Sequence, residues 1–364
     1  MTEQNSRPRG DFDTIVVGAG PAGIMAALHV TARGDVLLVD ASPLPRDKSC
    51  GGMLNEYSQR FLADYGSVPE SLFLEPRWVN FRYVDWDRGI RKPTELRFAN
   101  VDRRAFDDWL TSLLPDAVTV LGATSVTGLT ENQHSVVVET RSPDGSISAY
   151  TCRNLIGCDG PRSTVRRALA TGTPATYVTL QDFCALDANL EPYFDCIYMR
   201  GVGDSFAYAY VVPKGDVAIV GSVFYPKTKR PHEKQEQVLA VLRDSLPLGE
   251  SVKREAWVAL SVRHGSDVVA GSGRVLLAGE AGGFMSPTSG EGISYALNTG
   301  RLAGLAVAAG APEEALTRYH AHTDPIARNI SRKLKWLPFM ESSAGKYLAG
   351  FVPTPLVSRV TKGL

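Results

Sequence analysis

Between Asp13 and Asp40 the chain alternates apolar and polar runs in a simple order. Thr14 to Val17 is a short β-branched run suited to a buried parallel strand, Ala22 to Ala32 has the spacing of a helix, and Val36 to Val39 is a second strand. Further along, Asp102 is placed to cap a helix from Arg103 to Leu114, with Phe106, Trp109, Leu110 and Leu113 on one face and Pro115 ending it. Ser135 to Thr140, the turn Ser142-Pro-Asp-Gly145 and Ile147 to Ile156 predict a hairpin. From Thr176 to Ala259 strands dominate, with Phe206 to Val212 and Val217 to Phe224 meeting at Lys214-Gly-Asp216 and one helix near Glu233 to Leu246. Trp78 to Phe98 is a smaller strand-rich piece expected to join them.

The pattern gains chemistry from what separates its elements. Gly18, Gly20 and Gly23 fall between the first strand and helix: Gly18 allows a tight turn, Gly20 lets backbone approach a pyrophosphate, and Gly23 lets helix and strand pack closely. Pro21 and Ala22 open the helix, whose free N–H groups and positive dipole end face the same point. Asp40 ends the second strand, where an acid accepts hydrogen bonds from ribose hydroxyls. A second glycine-acid segment, Arg274-Val-Leu-Leu-Ala-Gly-Glu-Ala281, stands far downstream. A NAD dehydrogenase needs only the first half, so the pair of segments points to FAD held from two sides.

Composition sets the bounds. At 364 residues the chain is expected to divide into two interlocked domains. Lys+Arg and Asp+Glu are both 39, so no global basic field recruits nucleic acid. The first ten residues lack the apolar core of a secretory signal, and no apolar stretch reaches the length of a membrane span. Five cysteines without a C-x-x-C pair argue for a reducing, cytoplasmic setting and against a disulfide framework or a metal site.

The order Gly-x-Gly-x-x-Gly, Gly157-Cys-Asp-Gly-Pro-Arg-Ser163 and Gly279-Glu-Ala-Gly-Gly-Phe-Met-Ser-Pro287 resembles the p-hydroxybenzoate-hydroxylase-like flavoprotein superfamily. Within it, Cys50-Gly51-Gly52 and Tyr208-Ala-Tyr-Val-Val-Pro-Lys214 are similar to motifs of the geranylgeranyl reductase family, with Tyr210 where that pattern has Trp. The resemblance implies an α/β fold: a Rossmann-like FAD-binding domain (11–75, 99–175 and 265–325), an inserted antiparallel sheet domain for substrate (76–98 and 176–264) and a C-terminal helical tail (326–364).

It also implies roles. Arg103 would contact the FAD diphosphate or ribityl chain, and Asp159 and Gly160 would support FAD, unless Asp159 merely caps the next helix. Glu280, where relatives have Asp, would accept a ribityl hydroxyl. Pro287, Gly290, Gly292 and Ile293 would start a helix whose N–H groups face the flavin and stabilise its reduced form. Cys50 would donate a proton or tune the flavin, or be a packed inert thiol. Tyr208, Tyr210 and Val212 share one strand face and would wall an apolar cavity, or form a plain aromatic core. Cys158 and Cys184 read as core residues.

The implied activity is hydride reduction of a C=C bond in an isoprenoid or other apolar substrate. The FAD segments serve a flavin monooxygenase acting on a small apolar or aromatic metabolite equally well, and a non-catalytic FAD protein is a third reading. Gly201-Val-Gly203 and Gly271-Ser-Gly273 lack the strand-turn-helix setting of a second dinucleotide site, so NAD(P)H docking in the flavin cleft, a ferredoxin or a flavin reductase is the expected electron source. From Arg328 onward, seven basic residues and one acid are interleaved with Trp336, Phe339, Tyr347, Leu348 and Phe351. That pattern suits either a helical cap on the enzyme or peripheral contact with the inner face of an anionic membrane.

Overall fold

The computed structural model describes residues 8–31, 34–200, 202, 206–349, 351, 353 and 355. Ala32 and the glycines of Gly201-Val-Gly203 lie outside them, as do 356–364 of the tail.

The first sheet is built around β1 (Pro8–Val17), which lies between β2 (Val36–Val39) and β9 (Ile147–Gly157), parallel to both. β6 (Val118–Leu121) continues it beyond β2; β16 (Val275–Leu277) and then β15 (Gly271–Ser272) continue it beyond β9. β7 (Ser125–Glu131) and β8 (Val136–Arg141) attach to β9 as the antiparallel meander that the turn at Ser142–Gly145 demands. β1 reaches back to Pro8, beyond the apolar run, because its polar start pairs with Ala149 to Thr151 of β9. Every residue of β2 is buried, as its unbroken apolar run requires of a strand covered on both faces.

Helix α1 (Pro21–Val30) covers this sheet and packs against α6 (Ile293–Ala308). The approach is close because α6 carries glycine where the helices meet: a Cβ on Gly300 or Gly304 would run into the carbonyls of Ala22 or Ala26. The remaining helices are α2 (Glu56–Ala63), α3 (Arg103–Ser112), α4 (Thr164–Ala168), α5 (Pro231–Arg243), α7 (Ala315–Leu334), α8 (Leu337–Glu341) and α9 (Ser343–Ala349). Asp102 caps α3 through a 2.8 Å bond from Ala105 N–H, as the sequence predicts. α5 begins two residues before its expected start, because Pro231 fits a first helical position.

The second sheet runs β14 (Leu248–Leu260), β10 (Thr176–Leu186), β13 (Val217–Phe224), β12 (Phe206–Lys214), β11 (Tyr193–Tyr198), β4 (Phe73–Asp85), β5 (Ile90–Val101) and β3 (Met53–Leu54). The sheet is antiparallel as expected, with one parallel pair, β11 with β4. That pair is where strands from 73–101 meet strands from 176–260. No hairpin joins β4 to β11, so no turn dictates their direction. β3 follows the Cys50-Gly51-Gly52 segment directly and pairs with β5, so this segment bridges the two sheets.

Candidate functional site

A cavity of about 1470 Å³ lies between the sheets. Pockets for one small ligand span about 300–1,000 Å³, so this one has room for a dinucleotide and a second ligand together. Of the sequence candidates, Gly18, Gly20, Pro21, Ala22, Asp40, Cys50, Gly51, Gly52, Arg103, Asp159, Gly160, Tyr208, Tyr210, Glu280, Pro287, Gly290, Gly292 and Ile293 all border it. Gly23 and Gly279 stand just behind. A Cβ on Gly23 would overlap the Gly18 carbonyl, and one on Gly279 would press on the Ala22 Cβ at 3.0 Å.

At one end, Gly18 takes φ +99°, where a side chain would collide with the Cys158 carbonyl. Gly20 is the N-cap of α1 in extended conformation, and no side chain caps the helix. Unpaired N–H groups and a positive dipole end are thereby presented to an anion. What a side chain at Gly20 would meet is the guanidinium of Arg46, 3.1 Å away. Sequence reasoning missed this cation because it sits in an irregular loop. Its Nε lies 3.0 Å from Asp107 and a terminal nitrogen 3.5 Å from Asp40. Asp40 itself accepts from the N–H groups of Ala19 (2.6 Å) and Ser42 (2.7 Å), so the acid that ends β2 is fixed by backbone.

The Arg103 side chain is mostly covered and ion-paired rather than a free surface cation. Its Nε donates to Asp107 at 2.8 Å, one turn along α3, which offsets the unfavourable cation at a helix start. Asp107 takes both Arg103 and Arg46: burial would raise its carboxyl, but the two guanidiniums hold it below the usual range. Arg103 also faces the half-buried Cys50 thiol, whose Sγ accepts the Gly52 N–H at 3.5 Å. Burial pushes that thiol up; Arg103, the Gly52 N–H and Lys48 outweigh it, and the net shift is downward.

The two acid-glycine segments are engaged by protein. Asp159 caps α4, accepting from the N–H groups of Thr164 (2.7 Å) and Val165 (3.2 Å), while Gly160 makes the turn with φ +74°. Glu280 spends its extra methylene on reach: one oxygen accepts the Leu260 N–H at 2.7 Å and the other lies 3.4 Å from Lys48 Nζ. It ties the end of β14 to the loop carrying Cys50. Past Pro287, Gly290 takes φ +68° and Gly292 caps α6, whose first residue is Ile293. Glu291, which the sequence reading passed over, accepts from Ser294 N–H (2.8 Å) and Oγ (2.6 Å), and burial raises its carboxyl. An acid thus shares the helix end expected to act through its N–H groups alone.

On the opposite side, Tyr208, Tyr210 and Val212 belong to one apolar cluster with Val79, Ile219 and Phe194, so the face expected from alternation forms, but only Tyr208 and Tyr210 of the three border the cavity while Val212 packs behind. Tyr210 stacks on Phe194 with centroids 5.3 Å apart, in space that Gly221 leaves open. Its hydroxyl meets the Gln181 amide, and Gln181 accepts from Ser49 Oγ at 2.5 Å. That pair is the partner a tyrosine needs where the reductase pattern has tryptophan. Burial raises both phenols well above their ordinary value, so they stay neutral near pH 7. A Cβ on Gly51 would touch Phe194 and Tyr210 at 3.9 Å, which sets the Cys50 loop against this wall. Tyr210→Phe is expected to leave Gln181 short of a partner and lower stability by about 1–3 kcal/mol in urea unfolding, with cofactor content unchanged.

The C-terminal helices line one side of the cavity. Trp336, Leu337, Phe339 and Met340 border it, and Glu341 pairs with Arg263 at 2.6 Å. Tyr83 donates to the Lys346 carbonyl (2.8 Å) and Arg88 to that of Tyr347 (2.7 Å). Cys158 and Cys184 are buried, although Cys158 also borders the cavity. Among the described residues no cluster of metal ligands forms.

Protein CbrA of Escherichia coli O6:H1 is 28% identical over 334 residues, covering 89% of this chain and 88% of its own. The geranylgeranyl bacteriochlorophyll reductase-like protein of Thermoplasma acidophilum superposes with a TM-score of 0.77 at 18% identity, covering 97% of this chain and 92% of that one. The flavin-dependent monooxygenase PieE, solved with FAD and substrate, gives 0.67 at 19% identity, covering 91% of this chain and 65% of that one. The FAD binding domain family matches residues 114–333. Its match begins after the glycine turn, so the Gly18–Gly23 cradle and the uncapped start of α1 agree with it independently. The chain belongs to the FAD binding domain family, with the fold of FAD-dependent oxidoreductases.

Proposed function

We propose that this protein reduces a C=C bond of an isoprenoid or other apolar substrate. The observation that carries the reading is the Cys50 thiol, made more acidic by Arg103 and the Gly52 N–H, beside an aromatic wall in the cavity between the sheets. FAD, held by Gly18, Gly20, Ala22, Asp40 and the start of α6, supplies the hydride when bound. Phe194, Tyr208 and Tyr210 orient the alkene by contact. Cys50 holds at Sγ the proton the second carbon needs, and Arg103 and Gly52 N–H stabilise the thiolate left behind. α8 and α9 cover part of the cavity.

Electrons come from NAD(P)H entering the same cavity, or from a ferredoxin or flavin reductase. Gly271 lies in β15 and Gly273 in the tight turn from β15 to β16, a hairpin that argues against a second dinucleotide fold there. The deciding experiment reduces the yellow protein anaerobically and mixes it with a prenyl lipid alone or with oxygen alone. Rapid reoxidation by lipid is expected. Inertness to lipid, with oxygen consumption stimulated by an aromatic metabolite, would replace the reductase by a monooxygenase.

Among the described residues no helix is long and apolar enough to cross a membrane. Trp336, Phe339, Tyr347, Leu348 and Phe351 are nonetheless exposed beside the cavity roof, with Arg332 and Lys335 exposed nearby. We infer that the substrate is collected there from an anionic bilayer, where each cation contributes about 1 kcal/mol. The protein is expected to float with anionic liposomes at low salt and less at high salt. Leu348→Asp with Phe351→Asp should abolish flotation and keep FAD; flotation unchanged by both salt and substitution sinks the idea.

A further inference from the structure

Lys214, which ends the Tyr208–Lys214 strand, is buried, an unusual place for a lysine. Its ammonium reaches across the same sheet and donates to the carbonyls of Val101, the last residue of β5 (3.0 Å), and of Gly52, just before β3 (3.3 Å). The Gly52 carbonyl also accepts the Val101 N–H at 2.9 Å, while the Gly52 N–H donates to Cys50 Sγ. Gly52 takes φ +62°, and a Cβ there would strike the Val101 carbonyl and approach Lys214 Nζ at 2.8 Å. One residue therefore has its carbonyl held by lysine and its N–H turned onto the thiol. Asn100 anchors the lysine's neighbour, donating to the Pro213 carbonyl at 2.9 Å.

We propose that Lys214 is a positioning residue: by clamping the Gly52 carbonyl it fixes the Cys50-Gly51-Gly52 turn and so sets the acidity of the Cys50 thiol. Its catalytic consequence rests on the reading of Cys50 as proton donor, but the clamp itself does not. Burial pushes the Lys214 ammonium down to about 7, against the opposing pull of Cys50 and Asp102, so the clamp weakens as pH rises through neutrality. The other charged groups facing Cys50 are Arg103 and Lys48.

The test is the rate of iodoacetamide alkylation of Cys50 in FAD-loaded protein, followed by peptide mapping from pH 6 to 9. No substrate is needed, so failure of the clamp and failure of the reductase reading are separate results. Cys152, Cys158 and Cys184 are buried and the Cys196 thiol is pushed up to about 12, so Cys50 is the thiol that reacts near neutrality. Lys214→Met is expected to slow alkylation at pH 7 roughly tenfold, as for a thiol pKa higher by about one. Lys214→Arg should restore the rate. A folded, FAD-loaded Lys214→Met protein with an unchanged profile overturns the proposal. If Lys214→Met does not fold, the wild-type and Lys214→Arg profiles decide: the wild type should show an added inflection near pH 7 that arginine, charged throughout, removes. Superimposable profiles overturn the proposal.

Discussion

Gly20→Val is expected to yield folded but colourless protein. Gly20 lies in extended backbone that valine adopts readily, and its Cβ would meet only the far end of the flexible Arg46 side chain. The fold therefore survives. The two methyl groups would nevertheless occupy the approach to the first N–H groups of α1, where a pyrophosphate must come within hydrogen-bond distance. Visible absorbance of purified protein, set beside its circular dichroism, checks this; a folded Gly20→Val protein that is still yellow removes the basis for placing FAD there. Gly23→Ala makes the contrast. Its Cβ would overlap the Gly18 carbonyl, and the helix must leave the sheet to accommodate it. Overpacking of this kind costs about 1–3 kcal/mol or more, so the expected result is loss of soluble protein rather than of cofactor alone.

Cys50→Ala is expected to keep FAD and to slow lipid-dependent reoxidation of the reduced protein roughly a hundredfold, the lower range for loss of one general acid. The retention follows from geometry: the thiol touches the Gly52 N–H and Arg103, and Arg103 stays anchored by Asp107 when it is gone. Single-turnover rates equal to wild type would return Cys50 to packing. Cys50→Ser separates acidity from shape, because a hydroxyl of similar size is a far weaker acid. Serine should behave like alanine.

The parts of the site legible in sequence are those made by one continuous segment. Gly18 and Gly23 were readable because strand, turn and helix are adjacent and each glycine answers a local steric demand. The face carrying Tyr208, Tyr210 and Val212 follows from a period of two. What stayed hidden depends on partners far apart in the chain. Arg46 and Asp107 are 61 positions apart, and Ser49 and Gln181 are 132 apart, so no spacing rule brings them together. For Glu280 the sequence raised the right question, a longer side chain in a place made for aspartate, but only the fold places Leu260 and Lys48 within its reach. The parallel pairing of β11 with β4 was invisible for the same reason: it is set by where two excursions of the chain return, not by a turn.

The sheet that carries the glycine turn has a consequence for biosynthesis. β1 ends at Val17, yet its neighbour β9 spans Ile147–Gly157, and β16, beyond β9, ends at Leu277. A nascent chain emerging from its N-terminus thus exposes β1, an edge rich in unpaired backbone groups, long before both flanks are complete. Pairings of such sequence separation are slow to form and prone to aggregation on the way. The α1–α6 contact closes later still, since α6 begins at Ile293. With FAD placed as proposed, between the glycine turn and the start of α6, cofactor uptake is expected only after most of the polypeptide has been made, and binding then draws the equilibrium toward the finished fold by mass action. Cells short of flavin should therefore accumulate this protein as an aggregation-prone apoprotein rather than as truncated but folded pieces.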